Sequence, residues 1–226
     1  MAMKQLVKAL LFRPGYTKHR ILAGSLRGMW FTFNLRGDTQ QWRGIYETAL
    51  QTWLKAHLRP GGTCMDIGAA RGYFTLLAAK LAGPQGHVYA FEPSPLHKHI
   101  HAHIAMNNPG WLAPVSVHDS YVVDTAGRGA DQITIDQFCE TEHLSRLDVV
   151  KIDVDGAEVD VLRGMEQTLS GFHPQLFVEV HSRDLLEDVR EITTRHGYRM
   201  KLEYPPAREY RPCELNAFFY SYGARE

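Results

Sequence analysis

Between residues 63 and 181 the chain alternates two patterns of hydrophobic positions. Short, mostly apolar runs rich in β-branched and aromatic residues occur at 63–69 (TCMDIGA), 87–92 (HVYAFE), 113–118 (APVSVH), 148–154 (DVVKIDV) and 175–181 (QLFVEVH). Stretches with helical spacing separate most of them, at 72–82, 95–107, 157–170 and 183–196. Strands alternating with helices predict a doubly wound α/β fold with helices on both faces, because a parallel crossover needs about a dozen residues. The link between the third and fourth runs is less patterned, and residues 133–138 read as a short helix within it.

The flanks differ. Residues 25–35 (SLRGMWFTFNL) alternate polar and aromatic positions around Gly28 and predict a hairpin or strand pair outside the main sheet. Tyr46, Leu50, Trp53, Leu54 and Leu58 recur at helical spacing, and Pro60-Gly61-Gly62 ends that helix. The first residues, MAMKQLVKALLFRPG, read as a short amphipathic helix, since Lys8 interrupts the apolar stretch and no small-residue cleavage site follows. At the other end, 198–204 and 215–222 are two strand-like runs joined by PPAREYRPCE, most simply an antiparallel pair. The chain thus divides into an appendage, 1–45, and one α/β domain, 46–226, with a seven-stranded, mostly parallel sheet. The aromatic residues Trp30, Phe31, Phe33 and Trp42 are candidates for a lid, although such stripes more often pack in a core.

Composition narrows the partners. The 25 basic residues equal the 25 acidic ones, so the whole molecule has no net field with which to hold a polyanion, and nucleic acid is disfavoured. Cys64, Cys139 and Cys213 form neither a metal pattern nor a disulfide framework and suit a cytoplasmic protein with reduced thiols. No stretch approaches the roughly 20 apolar residues of a membrane span. Oligomeric state is not legible.

The turn Met65-Asp66-Ile67-Gly68-Ala69-Ala70-Arg71-Gly72-Tyr73 follows a strand and opens a helix, as nucleotide-binding turns do. A dinucleotide fingerprint from Gly68 would need glycine where Ala70 and Tyr73 stand, which argues against a nicotinamide-dependent oxidoreductase. Glu92, at the end of the second run, is placed to accept hydrogen bonds from ribose hydroxyls. Asp119 and Ser120, after the third run, occupy the place of adenine contacts. Lys151, Asp153 and Asp155 alternate with apolar residues along the fourth run and share one side, and the fifth run ends in Glu179 and His181.

Taken together, DIGAARGYFTLLAAKLAGPQGHVYAFEPSP, LDVVKIDVDGAEVDVLRGM and FVEVH, in this order and spacing, closely resemble the FkbM family of methyltransferases over residues 44–181. The resemblance implies a class I, Rossmann-like methyltransferase fold whose parallel sheet ends in an antiparallel strand. It also implies S-adenosylmethionine as cofactor, S-adenosylhomocysteine as product, and O-methylation of a small-molecule acceptor, a secondary metabolite or saccharide. One departure is Ala70, where the family commonly has Asn. In that reading Asp66, Gly68, Ala70, Gly72, Tyr73, Glu92, Asp119, Ser120 and Asp153 border the cofactor. His181 is the general base by its near-neutral pKa, with Asp153 or Glu179 orienting it or the acceptor, and Lys151 stabilising the alkoxide or holding the carboxylates. Asp153, Asp155 and Glu179, with Glu158 and His181, could alternatively hold magnesium, though Glu158 also reads as a first-turn helix acid. The tract His97, His99, His101 and His103 reads as a solvated helix face, and the loop Pro205 to Pro212 as an acceptor-facing element. A non-catalytic cofactor-binding module is the remaining alternative.

Overall fold

The computed structural model describes residues 14–108, 110–125, 129, 131–203 and 215–221. An antiparallel hairpin comes first, β1 (Thr17–Arg20) with β2 (Trp30–Phe33), then α1 (Thr39–Arg43) and α2 (Thr48–His57). The alternating region runs β3 (Thr63–Ile67), α3 (Tyr73–Ala82), β4 (His87–Phe91), α4 (His97–Asn107) and β5 (Val115–His118). Two short strands, β6 (Tyr121–Val122) and β7 (Gln132–Ile133), precede α5 (Ile135–Thr141). There follow β8 (Val149–Ile152), α6 (Glu158–Arg163), α7 (Glu166–Phe172), β9 (Gln175–Val180), α8 (Arg183–Arg195), β10 (Tyr198–Glu203) and β11 (Leu215–Ser221).

The main sheet has the order β10-β11-β9-β8-β3-β4-β5. Within this sheet, parallel pairing joins the five adjacent strands β9, β8, β3, β4 and β5. The other two join through antiparallel ladders, β11 to β9 and β10 to β11. From β3 the chain winds outward through β4 and β5, then returns to β8 on the other side of β3. The boundary between β3 and β8 is therefore the topological switch point, where the crossovers diverge and leave a crevice at the strands' carboxyl ends.

Burial follows from strand alternation. Met65, Ile67, Phe91, Val150, Ile152 and Val178 point to one face, against residues of α5 to α8 such as Phe138, Leu162, Leu169 and Val189. Cys64, Val88, Val149 and Phe177 point to the other, against Leu76, Leu77, Leu50 and Trp53. The hairpin residues Leu26, Phe31 and Phe33 are buried in this second cluster, whereas Trp30 is only half-buried.

Three expectations are corrected. The strand pair does not lie within 25–35: β2 finds its partner at Thr17–Arg20, and the intervening residues form the turn. The predicted helix 157–170 is two helices, broken at Gly164 and Met165. At Gly164 the chain touches a neighbouring strand end so closely that a Cβ would stand 2.0 Å from the carbonyl oxygen of Val123. The histidine tract is not uniformly solvated, because His103 is 1% exposed and tied to β2. The N-terminal amphipathic helix, Cys213 and the loop Pro205 to Pro212 fall outside the described residues, apart from Pro14 and Gly15. No helix among the described residues is long and apolar enough to cross a membrane.

Gly164→Ala is expected to lower unfolding free energy by about 1–3 kcal/mol, because the new methyl group must displace backbone rather than a flexible side chain. Urea denaturation followed by circular dichroism checks this.

Candidate active site at the sheet switch point

Asp66 on β3 and Lys151 on β8 stand directly opposite each other in the parallel ladder. Their side chains are 1% and 3% exposed as residues, and the ammonium lies 3.0 Å from Asp66 Oδ1. Thr75 on α3 donates to the other Asp66 oxygen at 2.6 Å. Lys151 also reaches Gly68 O at 3.0 Å and Asp153 Oδ2 at 3.4 Å. Burial opposes the charge on Lys151, but Asp66 and Asp153 outweigh it and hold the ammonium well above its ordinary pKa. Of the two roles expected for Lys151, the geometry realises that of holding carboxylates. Asp66 is enclosed, its two oxygens facing Lys151 and Thr75.

The loop after β3 is shaped by protein contacts. Gly68 has φ 78°, and a Cβ there would stand 1.7 Å from Asp153 O, so only glycine lets β3 and β8 leave the sheet side by side. Ala70 has φ 47°, left-handed backbone that costs alanine more than asparagine. The amides of Gly68 and Ala69 donate to Phe91 O, and that of Ala70 to Glu92 Oε2 at 2.7 Å. These loop amides thus have protein acceptors, while the first turn of α3 has no side-chain cap and keeps the capacity to donate to a ligand. The other oxygen of Glu92 accepts from Ser94 N at 2.9 Å. Asp119 and Ser120 follow β5 on the same sheet edge, joined to Glu92 through its bond to His118 O.

Around the loop the N-terminal segment closes in. Arg71 donates to Thr32 O and Oγ1, each at 2.6 Å, pairs with Asp38 at 3.3 Å and lies 3.8 Å above the Tyr16 ring. His103 Nδ1 contacts Arg71 O at 2.8 Å while Nε2 meets the Thr32 hydroxyl at 2.8 Å, and its ring stacks on Phe31. Burial first, with repulsion from Arg71 assisting, pushes the His103 pKa down to about 4, so the ring is a neutral linker. Tyr73 packs into an aromatic group with Phe31, Tyr46 and Phe74. These residues border a cavity of about 180 Å³, whose other walls are Gly68, Ala69, Ala70, Lys151 and Asp153.

At the ends of β8 and β9 a second group assembles on Asp153. His181 Nδ1 contacts Glu158 Oε1 at 2.5 Å, and its Nε2 lies 3.3 Å from Asp155 and 3.6 Å from Asp153. The carboxylate hydrogen-bonded to the imidazole is Glu158, with Asp153 farther off. Glu158 is fully buried, and Gly156 N also donates to it. Its position in the first helical turn gave a sufficient local explanation, which hid this role; Asp155, by contrast, is exposed. The hydrogen bond to Glu158, partly offset by burial and aided by Asp153 and Glu179, raises the His181 pKa to about 9. The expected near-neutral value is corrected: the imidazole is cationic at pH 7.

One ligand atom each of Asp153, Glu179 and His181 lie within 4.8 Å of one another. All three belong to the set named for magnesium, but with an imidazole nitrogen among three ligands the group suits that oxygen-preferring ion poorly. The magnesium alternative gains no support.

The family model described as the methyltransferase FkbM domain matches residues 66–200. No curated protein matches the chain. Among solved structures, a methyltransferase FkbM from Methylobacillus flagellatus KT superposes with TM-score 0.56 and 17% identity, over 82% of this chain and 54% of that one. This chain spans about half of its length. Aeropyrum pernix fibrillarin, solved with natively bound S-adenosyl-L-methionine, gives TM-score 0.51 and 13% identity over 76% and 73%. The Methanococcus jannaschii fibrillarin pre-rRNA processing protein gives 0.52 and 13% over 74% and 69%. These likenesses speak to the fold, and with fibrillarins among them the expectation against nucleic acid finds no support.

Lys151→Met should destabilise the protein by about 3–5 kcal/mol, since it strands the Asp66 carboxylate without its counter-charge. Thermal and urea unfolding of the variant read this directly; a loss below about 1 kcal/mol would contradict the pairing.

Proposed function

The chain belongs to the FkbM family of methyltransferases, and we propose that it moves a methyl group from S-adenosylmethionine to a hydroxyl oxygen of a small-molecule acceptor, a secondary metabolite or saccharide. S-adenosylhomocysteine is then the product. The observation that carries the oxygen acceptor is the His181–Glu158 pair set beside Asp153 at the carboxyl ends of β8 and β9.

The residues at the switch point suit this cofactor. Each Glu92 oxygen has a further lone pair beyond the one used by Ala70 or Ser94, and the ribose hydroxyls would take them. Gly68, Ala69, Ala70 and the first turn of α3 would border the methionine portion, and Asp119 and Ser120 the adenine. Gly72 and Tyr73 carry the helix start, and Asp66 anchors the Lys151 ammonium that reaches the loop carbonyl of Gly68. When bound, the cofactor supplies a methyl carbon activated by its sulfonium.

In-line displacement depends on alignment, which is worth up to about 7–11 kcal/mol. Lys151 serves that need by holding Asp153 and the loop carbonyl of Gly68 at fixed separation. The acceptor hydroxyl must also lose a proton. With Nδ1–H donating to Glu158, His181 presents Nε2 on the side of Asp153, where the neutral ring takes that proton. Because the ring is protonated at pH 7, the reactive form grows as pH rises. Asp153 and Glu179 hold the imidazolium that results.

For this mechanism kcat/KM should rise with pH to a limb near 9, and His181→Gln should remove the limb and lower turnover by about 10²–10⁴-fold. Glu158→Gln removes the largest influence raising the imidazole pKa, so the limb should move to lower pH. The measurement is transfer of labelled methyl to a panel of hydroxylated metabolites and sugars, from pH 6 to 10. A Glu158→Gln limb unmoved from wild type, or wild-type turnover in His181→Gln, would sink the base assignment. Tight S-adenosylhomocysteine binding without turnover on any acceptor would favour a binding module.

A further inference from the structure

A second cavity, of about 550 Å³, lies between the β1–β2 hairpin, α3 and the end of α4, and shares no lining residue with the cavity over the cofactor loop. Arg20, Arg27 and Lys80 line it together with Trp30, Asn108 and Trp111, and no aspartate or glutamate does. In a chain whose charges balance overall, this is a local excess of one sign. Lys18 adds to it, standing 4.8 Å from the Trp30 ring centre, as Arg20 stands at 4.4 Å.

Among the described residues these cations pair with no carboxylate. Arg20 gives one bond to Gly28 O and Lys80 one to Ser25 O, leaving the other donors of each uncommitted. Burial, then repulsion from Lys55, pushes the Lys80 ammonium below its usual pKa, the condition that a bound anion would relieve. Trp111 is 40% exposed at the rim, with no ring or hydrogen-bond partner among the described residues. A partly exposed indole beside cations that lack a carboxylate partner among the described residues is a platform for a planar ring joined to an anionic group.

We propose that this cavity binds a nucleotide-sized phosphoester, its phosphate against Arg27 and Lys80 and its ring on Trp111. The volume falls within the roughly 300–1,000 Å³ of small-ligand sites, which suits one nucleotide unit better than a polymer tracking a groove. A free nucleotide and the terminal unit of a single-stranded RNA share this chemistry. The site uses none of the strand-end residues, so it stands independently of the methyltransferase assignment. It is close enough to matter for the loop: Asn107, in the cavity wall, bonds both backbone groups of Trp30, and one helical turn earlier His103 holds Arg71.

The test is tryptophan fluorescence and calorimetry with uridine 5′-monophosphate, uridine and inorganic phosphate, in the presence of saturating S-adenosylhomocysteine. The monophosphate should bind saturably, at least about tenfold tighter than uridine or phosphate, and more weakly as salt rises. Arg27→Gln, at an exposed side chain, and Trp111→Ala should each weaken it about tenfold or more, with S-adenosylhomocysteine affinity unchanged. Competition by a short single-stranded RNA would assign the ligand to a chain end, and its failure to compete would assign it to a free nucleotide. Absence of saturable monophosphate binding, equal affinity for uridine, or full affinity in both variants would overturn the proposal.

Discussion

Lys151 carries an ammonium into the centre of the sheet, and its three oxygen partners come from three parts of the site. Asp66 belongs to the strand that launches the loop, Gly68 to the loop, and Asp153 to the end of the strand beside it. A charge so deeply buried is tolerated only where opposite charges and hydrogen bonds surround it, so the ammonium and its partners require each other. The spacing of β3 and β8 at the switch point, and with it the shape of the loop, follows from this contact. Gly68 permits the same approach from the backbone side, where any side chain would collide with Asp153 O.

A second constraint works from outside the sheet. Arg71 reaches out of the loop to Thr32 and Asp38, and His103 bridges the same loop to the same strand. The hairpin thereby becomes a wall of the site. Phe31 and Phe33 are buried against α2 and α3, yet they also border the cavity over the loop. His103 can serve as a bridge because its burial removes the proton and leaves one donor and one acceptor nitrogen.

The two histidines show how environment divides one residue type. His103, in an apolar and cation-facing pocket, is held neutral. His181, facing Glu158, Asp153 and Glu179, is held cationic near pH 7. Asp153 links the second of these to Lys151, so the charge that organises the loop and the charge at the strand ends belong to one network. In the opposite direction, charges that cancel over the whole molecule leave an unbalanced basic pocket under the hairpin, which a sum over residues cannot reveal.

Local periodicity sufficed for the alternating architecture, the small-residue turn after β3, and the acids and histidine at the strand ends. Two-residue and 3.6-residue repeats are properties of consecutive positions, so Val149 to Ile152 or Tyr73 to Ala82 announce their own element. Tertiary structure alone decided which of those groups meet. That Lys151 faces Asp66 depends on the register between strands more than eighty residues apart. That Glu158 serves His181, that His103 is covered, and that helix 157–170 breaks at Gly164 depend likewise on what packs opposite. Contacts set the charge state of each histidine and the sign of each pocket, because Coulomb and desolvation energies depend on distance in space rather than on separation along the chain.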